Sequence, residues 1–127
     1  MATLTLTKDN FADTISDNDI VFIDFWAAWC GPCRAFAPVF EAASETHGDA
    51  VFAKVDTEDQ QELAGMFGIT SIPTLVAFRE KVLVFGEAGA LPSTELEKVI
   101  SAVKDLDMDV VHAQVAEAKA KETDAAS

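Results

Sequence analysis

The sequence predicts an α/β domain, a central mixed β-sheet of about five strands flanked by about four helices. Three observations carry that prediction. β-Prone runs alternate with stretches of helical apolar spacing over most of the chain. One run, Ile20 to Trp26, is apolar almost without interruption. Two strands lie close together near residue 80 and are followed by a last helix. The alternation brings parallel strands together through helical crossovers, and the closing hairpin adds antiparallel ones.

Thr3 to Thr7 alternates polar and apolar residues, as a short edge strand does. Asp9 and Asn10 offer an N-cap for a short helix through about Ser16, and Ser16-Asp17-Asn18-Asp19 is a turn cluster. Ile20 to Trp26 lacks alternation, which suits a central strand covered on both faces. From Cys33 to about Thr46, residues Ala35, Phe36, Val39, Phe40 and Ala43 fall at helical spacing, with Pro38 inside to kink the helix. Val51 to Asp56 is a second buried strand. Asp59 to Phe67 reads as a short helix turning Leu63, Met66 and Phe67 inward, closed by Gly68.

Thr74 to Phe78 and Val82 to Phe85 form the hairpin. Pro92-Ser93-Thr94-Glu95 opens the last helix, where Thr94 and Glu97 have capping-box spacing. Leu96, Val99, Ile100 and Val103 give that helix one apolar face. Residues 1–104 thus make one domain. Beyond it, Asp105, Asp107 and Asp109 break the helix, and residues 105–127 form an acidic, Ala-rich extension. Val111, Val115 and Ala118 keep helical spacing there, so a weak helix or a solvated tail both satisfy the composition.

At 127 residues and 50% hydrophobic content the chain holds enough material for one self-sufficient core. Its 9 Lys+Arg against 22 Asp+Glu, formally −13, exclude a phosphate backbone or an anionic lipid surface as the expected partner. No nucleic acid and no membrane are therefore expected. No apolar run approaches the ~20 residues that cross a bilayer, and the first residues lack a signal peptide's basic and apolar regions. A cytoplasmic monomer is the expectation.

Both cysteines of the chain lie in Trp29-Cys30-Gly31-Pro32-Cys33-Arg34, where a buried strand hands over to a helix. A bridge across two residues closes too small a loop to act as a staple, so the pair reads as redox-active or metal-binding. A zinc centre needs two further ligands, and His47 and His112 lie far from the pair in sequence; no metal is expected. Cys30 sits just ahead of the helix, where unpaired N–H groups and the positive dipole end stabilise a thiolate. Cys33, a turn further in, should be less exposed. Pro32 falls where a helix tolerates proline and stiffens the ring. Cys30 can then attack a disulfide, and Cys33 can displace it from the mixed disulfide.

That second step needs a base for Cys33. Asp24, inside Val-Phe-Ile-Asp-Phe-Trp, is expensive to bury and should hold its proton more tightly than usual, so it can accept one near neutral pH. It reads equally as a hydrogen-bonded residue ordering its strand. Lys54, on the neighbouring strand, either pairs with Asp24 or extends its amine to solvent. Pro73, in Ile72-Pro73-Thr74, is confined to a strand start or bulge.

These residues together resemble the thioredoxin family. The matching landmarks are Asp24-Phe25-Trp26, Trp29-Cys30-Gly31-Pro32-Cys33, Pro38, Lys54-Val55-Asp56, Ser71-Ile72-Pro73-Thr74 and Gly89-Ala90-Leu91, in the family's order and spacing from about residue 4 to 104. Thioredoxins are themselves the standard instance of an activated Cys-x-x-Cys thiol, so that expectation is the family's. The resemblance implies a thioredoxin fold, with Cys30 as nucleophile, Cys33 as resolving thiol, Asp24 assisting proton transfer and Lys54 modulating it. It implies a cis Pro73 beside the disulfide. Trp29, Gly31, Pro32, Ile72, Pro73, Gly89 and Ala90 would form the surface that grips extended substrate. It implies no bound cofactor: the redox-active Cys30–Cys33 disulfide would take electrons from NADPH through thioredoxin reductase. Ribonucleotide reductase, peroxiredoxins and methionine sulfoxide reductases would be acceptors. Gly-Pro between the cysteines is similar to the reducing branch rather than to oxidases and isomerases. A second reading keeps the fold but makes it a binding or chaperone module with secondary thiol chemistry.

The chain departs from the pattern in three places. Glu80-Lys81 stands where the hairpin usually turns on Asn-Gly or Asp-Gly, so the turn should be strained or altered. Ala28 replaces a residue that is often polar. The extension beyond Lys104 lies outside the family pattern.

Overall fold

The computed structural model describes residues 2–126, with side chains to residue 122. Five strands and five helices follow one another: β1 (Thr3–Thr5), α1 (Phe11–Asp17), β2 (Ile20–Trp26), α2 (Gly31–Thr46), β3 (Val51–Asp56), α3 (Gln61–Met66), β4 (Thr74–Arg79), β5 (Val82–Ala88), α4 (Ser93–Lys104) and α5 (Met108–Ala126). The sheet order is β1-β3-β2-β4-β5. β1 and β2 run parallel to β3, while β4 lies antiparallel to β2 and β5 to β4. This is the mixed sheet the sequence predicts, with one helix more.

Alternation along the strands divides the core into two layers. Val21, Ile23 and Phe25 of β2 join Ala53, Val55, Val76 and Phe78 in packing under α1 and α3, through Ile15, Leu63 and Ala64. Ile20 and Phe22 face the other way with Phe52, Leu75 and Ala77, against Phe36, Phe40 and Ala43 of α2 and Leu96, Ile100 and Val103 of α4. β2 is buried at six of its seven positions, which explains its unbroken apolar run. Asp24 therefore lies on the side of β2 that α2 and α4 cover.

Several local expectations change. Asn10 is the N-cap residue of α1, but its Oδ1 accepts the Thr7 N–H at 2.7 Å instead of capping the helix. α3 spans only Gln61–Met66, and Met66 is 66% exposed rather than inward. The helix ends at Met66, and Gly68, at φ 63°, turns the chain away. The capping box at Thr94 does not form; Pro92 precedes the first turn, and Glu97 Oε2 instead meets His47 Nε2 at 2.8 Å. Residues 108–126 are helical. Asp107 Oδ1 accepts the N–H groups of Asp109 and Val110, capping α5, and Met108 is buried. His112 Nε2 meets Glu80 Oε1 at 3.0 Å, tying α5 to the β4–β5 turn.

That turn keeps the two-residue hairpin geometry with residues that resist it. Glu80 and Lys81 stand at φ 49° and 69° between the paired Arg79 and Val82. Each left-handed non-glycine position costs about 1 kcal/mol or more. Lys81→Gly should stabilise the protein by about 1 kcal/mol, read as a rise in the thermal midpoint.

Candidate active site

β2 carries the chain to one end of the sheet, and the segment after it builds the site. The Cys30 N–H donates to the Ala27 carbonyl at 3.2 Å, and α2 begins at Gly31 with Cys30 as its N-cap. Cys30 Sγ accepts the Cys33 N–H at 3.2 Å, taking the place a capping oxygen would hold. One of the four N–H groups left unpaired at a helix start is thus directed at this sulfur. Pro32, in the first turn, has no N–H to leave unsatisfied. Cys30 and Cys33 are joined as a disulfide, with Cα atoms 5.2 Å apart. Cys33 is 2% exposed and Cys30 4%, the order the sequence predicts, though both are more covered than a surface thiol.

Asp24 is wholly buried, and among the described residues neither of its oxygens has a hydrogen-bond partner. Burial pushes its carboxyl up to about 7, against the opposing pull of the Lys54 ammonium. Lys54 stands opposite Asp24 in the β2–β3 register, and Leu75 stands opposite on β4. Lys54 is half-buried, and its Nζ lies 5.3 Å from the centroid of the Trp26 ring, a cation–π contact. Trp26, two residues beyond Asp24 and so on the same side of β2, packs against Ala27, Cys30 and Cys33. Asp24 and the sulfurs therefore share the space between β2 and α2.

Ile72 also packs against the cysteine pair, and its carbonyl oxygen lies 3.7 Å from Cys30 Sγ, within reach of a thiol proton once the bridge is reduced. The Ile72–Pro73 peptide bond is cis, as the family resemblance implies. Pro73 is buried, and its carbonyl accepts the Gly89 N–H at 2.8 Å. Gly89 needs φ 116°, a conformation side-chain-bearing residues avoid. Trp29, Gly31, Pro32, Gly89 and Ala90 are exposed, and Ile72 is half-buried. The fold thus brings Cys30, Cys33, Ile72, Pro73 and Gly89 together at one end of the sheet, with Asp24 and Lys54 paired further along β2 and β3.

An open groove of about 330 Å³ adjoins the disulfide, lined by Trp29, Thr57, Gln61, Gly65, Ile69 and Ile72 among others. Trp29 is 67% exposed, and its Nε1 donates to Glu58 Oε1 at 2.6 Å. The sequence gives Glu58 no role, and Asp59 and Gln60, expected in the following helix, belong to the loop that ends where α3 begins. A signal is nonetheless present: the loop follows a parallel strand, β3, at the same sheet end as Cys30, where open α/β sheets place ligands. Among the described residues no group of three or more His, Cys, Asp or Glu is arranged to hold a metal. No helix among them is long and apolar enough to cross a membrane.

A family model described as Thioredoxin matches residues 2–102. This chain belongs to the thioredoxin family. It is 56% identical over 120 residues to a putative thioredoxin 2 of Streptomyces coelicolor, covering 94% of this chain and 90% of the relative. It is 45% identical over 103 residues to a thioredoxin of Alicyclobacillus acidocaldarius, covering 80% of this chain and 98% of that one. A mutant thioredoxin from Halobacterium salinarum superposes with a TM-score of 0.76 at 36% identity, over 82% of this chain and 92% of the other. The Streptomyces match leaves out too little of this chain to stop at Lys104, so the thioredoxin family includes a relative aligned into the α5 region. Membership and the Cys30–Cys33 pair together make the chain a thiol–disulfide oxidoreductase of the protein-disulfide reductase kind.

Proposed function

We propose that the chain reduces disulfides in other proteins, with Cys30 attacking and Cys33 resolving. The observation that carries this reading is the Cys33 N–H held 3.2 Å from Cys30 Sγ at the start of a helix of 16 residues. That donor and the positive helix end favour a thiolate at residue 30, and the thiolate is the attacking species. Cys30 sulfur bonds to one sulfur of the substrate disulfide and expels the other as thiolate. Cys33, once deprotonated, attacks Cys30 sulfur, expels the second substrate thiolate and leaves the Cys30–Cys33 bridge. Two electrons pass to the substrate. The Cys33 proton goes to Asp24, directly or through one water, and the Lys54 charge tunes the readiness of Asp24 to take it. Trp29, Gly31, Pro32, Ile72, Gly89 and Ala90 offer the substrate a contact surface, with Pro73 supporting it from beneath.

Electrons return from NADPH through a thioredoxin reductase. Ribonucleotide reductase, peroxiredoxins and methionine sulfoxide reductases are the acceptor classes, in the cytoplasm, served by a monomer. Residues 1–104 are the catalytic unit. α5 meets the body of the protein through Met108, His112 and the Glu80 turn. That turn lies at the Ile20 end of β2, roughly 20 Å of strand away from Trp26. Deleting residues 105–127 should leave reductase turnover within about twofold of the full chain. A large loss would place the extension in the catalytic unit.

NADPH-coupled insulin reduction with a thioredoxin reductase tests the whole reading. Turnover that vanishes in Cys30→Ser supports it. Failure of the intact chain to turn over, with its dithiol demonstrably reduced, would leave the binding-module reading in its place.

A further inference from the structure

The charges framing the groove are one-sided, and one of them touches its wall. The segments that surround Cys30 are the Ala27–Cys30 turn with the first residues of α2 to Arg34, the Asp56–Glu62 loop and first turn of α3, the Gly68–Pro73 stretch and the Gly89–Pro92 connection. They carry Asp56, Glu58, Asp59 and Glu62 against Arg34 alone. Lys8 offsets Glu62 at 3.0 Å, and Arg34 commits its Nη1 to the Ala28 carbonyl at 2.8 Å. Lys54 is half-buried and directed at the Trp26 ring. Glu58 differs from the other acids in being exposed and hydrogen-bonded to a side chain that lines the groove. Its Oε1 accepts Trp29 Nε1 at 2.6 Å, and its N–H is held by Asp56 Oδ1 at 3.0 Å. Trp29 walls the groove, so one carboxylate charge is set against that wall, beside the residue that precedes Cys30.

We infer that Glu58 is a specificity-determining residue, selecting protein disulfides flanked by Lys or Arg. The inference rests on the proposed disulfide reductase activity and names its substrate class. A cation in the groove meets a carboxylate that is already positioned, so little side-chain entropy is lost on pairing. The surrounding acids add a field that speeds encounter with a basic segment and slows an acidic one. A single pair across partly solvated space changes a rate or affinity by about threefold, and the whole field by about tenfold at low salt. Ala28, exposed and uncharged, leaves the rim beside Trp29 without a competing charge.

The test uses the full reduced chain and three probes. These are the neutral bis(2-hydroxyethyl) disulfide and two peptides with the same cystine, one flanked by lysines and one by glutamates. kcat/KM for the lysine peptide should exceed that for the glutamate peptide about tenfold at low salt, and the ratio should approach one at high salt. Glu58→Gln keeps an oxygen for the Trp29 N–H and removes only the charge. It should lower the ratio about threefold, an effect that a purely structural role for Glu58 does not produce. Equal rates for the two peptides, or a ratio unmoved by Glu58→Gln, would overturn the inference while the reductase reading stands. Failure to reduce the neutral disulfide would instead strike at that reading.

Discussion

Cys33→Ser should halt turnover with substrate still attached to Cys30, while Cys30→Ser should fail to engage substrate at all. Both changes should lower steady-state reduction by about a thousandfold or more, because each removes one of two indispensable bond changes. The products separate them. With Cys33→Ser, a disulfide-containing substrate should accumulate as a covalent adduct visible by intact mass and released by a small thiol. The Cys30→Ser protein should give no adduct, since Cys33 is 2% exposed and sits inside the first turn of α2, whereas Cys30 is the N-cap whose sulfur accepts a helix N–H. An adduct on Cys33 in that variant would reverse the assigned roles.

The second large effect belongs to Asp24, and it acts on activity and stability in opposite directions. Its carboxyl stands near 7 in the folded protein against 3.8 for the ordinary group, because it is buried with neither oxygen hydrogen-bonded among the described residues. Between pH 4 and 7 the folded state therefore binds more protons than the unfolded state. By linkage, the stabilising contribution present at low pH is lost as pH rises through that window. A tenfold change in proton affinity corresponds to about 1.36 kcal/mol, so the loss above pH 7 is on the order of 4 kcal/mol. Asp24→Asn cannot ionise and should escape it. At pH 8 the variant should melt several degrees above the parent protein, and at pH 4 the two should nearly coincide. Reductase turnover at pH 7 should meanwhile fall about tenfold or more, as expected when a general base is removed. Parallel melting curves at all pH values would contradict the burial argument. Unchanged turnover would contradict the proton-transfer role.

The parts of this molecule that are legible in sequence are those decided by local chemistry. The run Ile20–Trp26 announces a strand covered on both sides, and Asp24 stands out because it interrupts that run. Cys30 precedes a helix whose apolar spacing from Phe36 to Ala43 is plain, so the thiol's placement at a helix start follows. The features that differ from expectation depend on contacts distant in the chain. Glu97 has capping-box spacing from Thr94, yet His47, fifty residues away, takes its carboxylate. Met66 continues a helical pattern, but α3 ends at that residue and leaves it exposed.

The α5 region is helical although its composition allows a loose tail, because Asp107 caps it and Met108, Val111 and Val115 gain partial cover. Glu58 reads locally as one more surface acid, since nothing nearby shows that Trp29, twenty-nine residues earlier, reaches it. Glu80 and Lys81 are unusual residues for a hairpin turn, and their two positive φ values bear that out. The pairing of Glu80 with His112 lies beyond local reading.

The most direct test is the pH dependence of alkylation of the fully reduced protein, with the modified residue identified by peptide mass. Cys30, held at the helix start, should react first, with a midpoint below the ~8.5 of a free thiol. A midpoint at or above that value, or Cys33 reacting ahead of Cys30, would contradict the role of Cys30 as nucleophile.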